Sequence, residues 1–247
     1  MPRGGYPNPP ITEAVLDLQI EAVLPLRDLQ KLKGRFTREY PNSEELVDWN
    51  FGFGATSDGQ MTTHANEVAR WYKLTSNDQT DIVLLKPKNL TTSRLAPYHG
   101  WDQLFEAARR NYSIWRRTIG YKRIDRIASR YINRIDIPSE KLEKNGLISY
   151  FNVMPRFPAD RPALHFFLQS LLDVKEISGK ANFFFGPVPS PLLDHSAFLL
   201  DIDLYLDHGI PAREEEMWEM IGQFRHIKNR IFEDSVTDRA RDLFDAR

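Results

Sequence analysis

The chain has 247 residues, with 33 Lys and Arg against 34 Asp and Glu, a formal charge of −1 and no cysteine. The missing thiols exclude a disulfide framework, a cysteine nucleophile, an iron–sulfur cluster on cysteine ligands and any zinc site with sulfur donors. Hydrophobic residues at 41% and aromatics at 12% exceed what a disordered chain carries, and near-neutral charge argues against a dedicated polyanion binder.

Residues 1–10 are rich in Pro and Gly and read as an extended arm, with no apolar stretch behind a basic start to mark secretion. Residues 11–22 alternate, with Ala14, Leu16, Leu18 and Ile20 on one face and Glu13, Asp17, Gln19 and Glu21 on the other, which predicts a half-buried strand. Pro25 opens a helix carrying Leu26, Leu29, Leu32, Phe36 and Tyr40, ended by Pro41. Val47, Trp49, Phe51 and Phe53 alternate again, Ser57-Asp58-Gly59 reads as a hairpin turn, and a turn at Ser76-Asn77-Asp78 joins strands at 68–75 and 81–86. Residues 88–100 read as a loop. Trp101, Leu104, Phe105, Ala108, Tyr112, Trp115 and Ile119 then mark a long amphipathic helix stopped by Gly120, before a strand over 123–137.

After a linker at 139–146, strand-like runs occupy 147–153, 164–174, 180–185 and 197–207. A helix from Pro211 carries Met217, Ile221, Phe224, Ile227 and Ile231, and Ser235 or Thr237 caps a short final one. Hairpin turns between strands favour antiparallel pairing, so the expected class is α+β: two antiparallel-sheet halves, 1–138 and 147–247, each with a long packed helix. That recurrence is what a structural duplication would leave. The longest apolar runs, at 82–85 and 197–200, fall far short of the roughly 20 residues that cross a membrane. The expected compartment is the cytoplasm.

Charge is unevenly distributed. Between Arg109 and Arg134 nine basic residues meet one acid, Asp125, while between Asp194 and Glu219 eight acids meet one base, Arg213. On a strand, Arg126, Arg130 and Arg134 share a face at roughly 13 Å intervals. Asp201, Asp203, Tyr205 and Asp207 share a face of the 197–207 strand, as Glu13, Asp17 and Glu21 do on the first. The favoured expectation is that these stripes pair across one sheet, the arginine strand beside 11–22 or 197–207. The sharper alternative is that Arg126, Arg130 and Arg134 grip a phosphate or another anion. Nucleic-acid stacking on Tyr112, Trp115, Tyr121 and Tyr131 is not favoured, because those rings occupy core-like positions.

Pro9-Pro10-Ile11-Thr12-Glu13-Ala14-Val15, Tyr40-Pro41 and Arg130-Tyr131-Ile132-Asn133-Arg134-Ile135 are distinctive together, with Leu200-Asp201-Ile202-Asp203 and the segment from Ile231 to Thr237. In these motifs the chain resembles a sporadically distributed, uncharacterised family of bacterial and archaeal proteins. The resemblance implies a cytosolic prokaryotic protein of about this length, without an agreed substrate, cofactor or set of catalytic residues.

Sequence signatures of chemistry are missing. There is no P-loop, no Gly-x-Gly-x-x-Gly and no Gly-x-Ser-x-Gly elbow, and Phe51-Gly52-Phe53-Gly54 reads as strand or bulge. The six histidines never occur as His-x-His or His-x-x-x-His, so a metal site would have to assemble His195 or His208 with Asp201 and Asp203 in space. Phe183-Phe184-Phe185 reads as a buried strand with one ring exposed, an aromatic contact for a partner if that patch is large. The leading expectation is a non-catalytic binding or interaction module without a cofactor, open to a protein partner or to self-association. The enzyme alternative is a triphosphate-tunnel-like protein, with Arg126, Arg130 and Arg134 on a polyphosphate and Asp201 and Asp203, with Asp17, on a divalent cation. The Glu-x-Glu-x-Lys signature of those enzymes is replaced here by Asp17-x-Gln19-x-Glu21.

Overall fold

The computed structural model describes residues 6–55, 61–155 and 165–245. The chain order is β1 (Ile11–Ile20), α1 (Leu26–Phe36), β2 (Asn42–Ala55), β3 (Met61–Thr75), β4 (Asp81–Leu85), β5 (Asn89–Leu95), α2 (Trp101–Ile119), β6 (Ile124–Pro138), α3 (Ser139–Asn145), β7 (Leu168–Val174), β8 (Gly179–Val188), β9 (His195–Leu206), α4 (Glu214–Ser235) and α5 (Asp238–Asp245). All nine strands belong to one sheet, ordered β2-β3-β4-β5-β1-β6-β9-β8-β7, and every pairing is antiparallel.

The α+β class stands, but the expectation of two sheet halves related by duplication is not supported. β1 pairs with β5 on one edge and β6 on the other, and β6 pairs in turn with β9. Joining β1 to β6 satisfies two edges that separate sheets would have left unpaired. The expected loop at 88–100 contains β5, whose Thr91, Thr92 and Ser93 are all buried, so it lacks the apolar–polar alternation that announces a strand. The expected linker at 139–146 is α3, closed by Gly146 at φ 72°. Over 147–153 there is a 3-10 turn (Leu147–Ser149) and an isolated bridge between Phe151 and Val236 instead of a strand. The expected turn at Ser57-Asp58-Gly59 lies outside the described residues.

Helices pack on one face of the sheet. There Ala14, Leu16, Leu18 and Ile20 of β1 meet Leu29, Leu32 and Phe36 of α1, Leu104, Tyr112 and Trp115 of α2, and Met217, Trp218, Ile221 and Phe224 of α4 in one apolar cluster. Each buried Leu, Ile, Phe or Met side chain among them contributes about 1.5–3 kcal/mol. A second cluster joins Phe183 and Phe185 of β8, Leu200 and Ile202 of β9, Phe232 of α4, and Ala240 and Phe244 of α5. The two meet along β6, where Tyr131 belongs to the first, Ile135 to the second, and buried Asn133 stands between them. Thr237 is the residue that caps α5, its hydroxyl accepting from the Ala240 amide at 3.4 Å. Among the described residues no helix is long and apolar enough to cross a membrane.

Candidate functional site

The period of a strand sends alternate residues of β6 to opposite faces. Arg126, Arg130 and Arg134 lie on the face away from the main helices, and β6 runs between both acidic strands, β1 and β9. Arg130 donates from Nε to Asp201 Oδ1 at 2.9 Å and from Nη2 to Oδ2 of the same carboxylate. Arg126 donates to Asp203 at 3.1 Å, stands 3.7 Å from Asp17, and lies over the Tyr205 ring at 4.6 Å. Arg134 donates to Asp136 at 2.9 Å, and Asp136 also accepts from the Ser190 hydroxyl. The basic and acidic stretches of the sequence thus meet across the sheet, joined again by Arg116 of α2 and Glu214 of α4.

Asp17 accepts from Thr91 and Asn89, and burial pushes its carboxyl above the usual range although Arg126 pulls the other way. A polyphosphate tunnel needs guanidiniums that are free around an enclosed space; these three already have carboxylates on a sheet face. Asp201 and Asp203 are engaged by the same arginines, His195 bonds to the Leu193 carbonyl and His208 to Asp207. Among the described residues no group of three or more His, Asp or Glu side chains is placed to hold a metal ion. Tyr112, Trp115 and Tyr131 are buried in the core, and exposed Tyr121 carries the Arg116 guanidinium over its ring at 5.8 Å.

The odd-numbered side of β6 leads elsewhere. Tyr131 and Asn133 form the floor of a cavity of about 640 Å³ at the seam of the two apolar clusters. Its walls are Ile202 of β9, Arg225, Lys228 and Phe232 of α4, the start of α2 at Gly100 and Trp101, and the N-terminal arm at Tyr6, Pro9 and Pro10. Tyr6 fastens the arm by donating to Glu233 at 2.7 Å, Arg241 holds the other oxygen of that carboxylate at 2.7 Å, and the Arg134 amide donates to the Pro10 carbonyl at 2.8 Å.

Lys228 is the anomaly of this cavity. Its side chain is 7% exposed, and its ammonium lies over the Tyr131 ring, 3.3 Å from the centroid. Among the described residues no carboxylate pairs with it, although buried lysines are ordinarily paired. Burial holds its ammonium down at about 7, and nearby Arg225 pushes the same way. The Tyr131 and Tyr98 hydroxyls share a hydrogen bond at 2.7 Å, and burial raises both phenols, Tyr98 to about 12. Arg225 reaches Asp102 at 3.1 Å.

None of the residues expected to bind an anion or a metal lines this cavity, although the motifs that carry the resemblance converge on it through Pro9, Pro10, Ile11, Tyr131, Asn133, Ile202, Phe232 and Glu233. A signal for Lys228 was present: it follows Phe224 by four residues and Ile221 by seven, the core register of α4. No family model and no curated protein matches the chain.

Proposed function

We propose that this chain is a binding protein for a small organic anion, held in the cavity between α2, α4 and the N-terminal arm. The observation that carries the reading is the ammonium of Lys228, desolvated, without a carboxylate and bordering a cavity large enough for a small molecule. An incoming carboxylate or phosphate supplies the missing counter-charge, and its charge-assisted hydrogen bonds are the strong kind. The start of α2 adds to the attraction, since its first amides have no side-chain cap and a helix N-terminus is partially positive. Arg225, three residues before Lys228 on the same helix, supplies a second cation whose partner Asp102 is 78% exposed; such a surface pair is weak and readily exchanged.

The test is thermal denaturation and calorimetry with lactate, succinate and inorganic phosphate, on the native chain and on Asn229→Trp, which fills the cavity from α4. Saturable stabilisation of the native chain by at least one of these anions, lost in N229W with an unchanged circular dichroism spectrum, is the expected result. Stabilisation by none of them, or stabilisation that persists in N229W, overturns the proposal.

A further inference from the structure

An anion site explains why positive charge borders the cavity, but not why one of the cations is a lysine stripped of water and set against an aromatic ring. A permanently charged arginine would serve a simple anion as well, with a better hydrogen-bonding fork. Lysine differs in being able to lose its proton and act as a nucleophile. The surroundings of Lys228 favour that form, since Tyr131, Ile202, Trp101 and Phe232 present rings and aliphatic carbon to the cavity. The charged and titratable groups lining the cavity with the amine are Arg225, His226 and Glu233 on α4, Tyr131 on β6, Tyr98 and His99 ahead of α2, and Tyr6 on the arm. Glu233 is the one carboxylate among them, and Tyr6 and Arg241 already hold it.

We infer that Lys228 condenses through Nζ with the carbonyl carbon of a bound 2-oxo acid, forming an imine, while the acid's carboxylate rests against Arg225 and the start of α2. The inference deepens the anion-site reading and rests on it. Residues three apart on a helix stand about 5–6 Å apart at Cβ, so Arg225 and Lys228 engage neighbouring groups of one small molecule, as adjacent carboxylate and carbonyl carbons require. Burial leaves part of the amine unprotonated near neutral pH. The neutral Nζ adds to the carbonyl carbon, a C–N bond forms, and a proton passes from nitrogen to the carbonyl oxygen. The C–O bond then breaks, the hydroxyl leaves as water with a second proton, and the C=N bond remains. Nothing is oxidised or reduced. Tyr98 and Tyr131, whose hydroxyls bond to each other, line the same cavity as the amine.

The test is reductive trapping. Pyruvate and sodium cyanoborohydride are added near neutral pH to the native chain and to Lys228→Met, followed by intact mass and peptide mapping; hydride from the reagent converts the imine into a stable secondary amine. The expected result is one adduct per chain, on the peptide containing Lys228, with labelling about tenfold slower in K228M, where only surface lysines remain. No adduct, or label spread over exposed lysines at the same rate in both proteins, overturns the inference. Should K228M fail to fold, the map on the native chain decides: label concentrated at Lys228 supports the imine, and label elsewhere overturns it. Lactate, which has the carboxylate but no carbonyl, separates the two readings. If lactate stabilises the chain and pyruvate is not trapped, the imine falls and the anion site stands; if pyruvate is not trapped and none of lactate, succinate and phosphate stabilises the chain, both fall.

Discussion

Arg130 and Tyr131 are consecutive residues that serve opposite faces of one sheet. The guanidinium of Arg130 grips Asp201 on the face away from the main helices, while the Tyr131 ring lies under Lys228 on the other. One face is a network of charges that satisfy one another, and the other holds a charge left unsatisfied.

The Arg130–Asp201 pair tests the first face. Asp201 is mostly buried, whereas Arg130 is 48% exposed, so the cost of breaking the pair falls on the carboxylate. R130M is expected to lose about 1–2 kcal/mol in urea denaturation. Adding D201N recovers part of that loss, with a coupling energy of about 0.5–2 kcal/mol in the double-mutant cycle. Additive effects would show that the pair contributes nothing.

Lys228 gives stability a pH dependence of predictable sign. The folded amine titrates at about 7 against an ordinary 10.5, so between those values the unfolded chain binds more protons and unfolding becomes harder as pH rises. Below 7 both states are protonated and the cost of burying the charge is fully present. Between pH 7 and pH 9 the native chain is therefore expected to gain stability relative to K228M, by at most about 1.4 kcal/mol per pH unit. Parallel urea midpoints for the two proteins at both pH values would contradict this. The comparison stops at pH 9 because the buried phenols of Tyr98 and Tyr131, raised above their ordinary values, act in the opposite direction at higher pH.

Asp17 tests the β1–β5 junction. It is the acceptor for both Thr91 and Asn89, and Thr91 is buried. D17A strands those donors and is expected to cost about 2 kcal/mol. D17N costs less, because it removes a desolvated charge and retains one acceptor oxygen. Equal losses in a chemical denaturation series would refute that ordering.

Gly179 at the start of β8 tests backbone packing. A Cβ there would stand 2.6 Å from the Tyr205 carbonyl oxygen and 2.9 Å from Ile177 Cδ1. A main-chain atom cannot swing aside, so Gly179→Ala is expected to cost about 1–3 kcal/mol. A melting temperature within error of the native value would contradict it.

What the sequence disclosed was local. The alternation of β1, the helical stripe of α2 and the hairpin signal between β3 and β4 depend on neighbours in the chain; they located β1, α2 and β4 closely but only the second half of β3, which begins at Met61 and not at 68. The charge stripes went further: opposite sign on strands of matching period pointed to the partners that β6 acquired. The continuity of the sheet was hidden, because β1 meets β5 and β6 across long stretches of chain that no turn residue announces. β5 itself was missed because Thr92, on the core side with Leu90, is polar and accepts from Asn111 of α2 where an apolar side chain would have shown a period. Lys228 was passed over for a related reason. A lysine between Ile227 and Ile231 reads as one that snorkels to water, and only its register with Ile221 and Phe224 marks it as turned inward.

The position of β1 bears on how the protein is made. This strand leaves the ribosome before either of its partners, for the bond that Asp17 accepts from Thr91 spans 74 residues and the Thr12 contact with β6 spans 120. Until those later segments are synthesised, a strand with four apolar side chains on one face waits without a neighbour on either side. Closing contacts at such separation is slow, and exposed strand edges recruit other chains in the meantime. Yield in a cell-free system should therefore depend on chaperones that shield nascent polypeptide, because a central strand of the sheet is made before both of the strands that flank it.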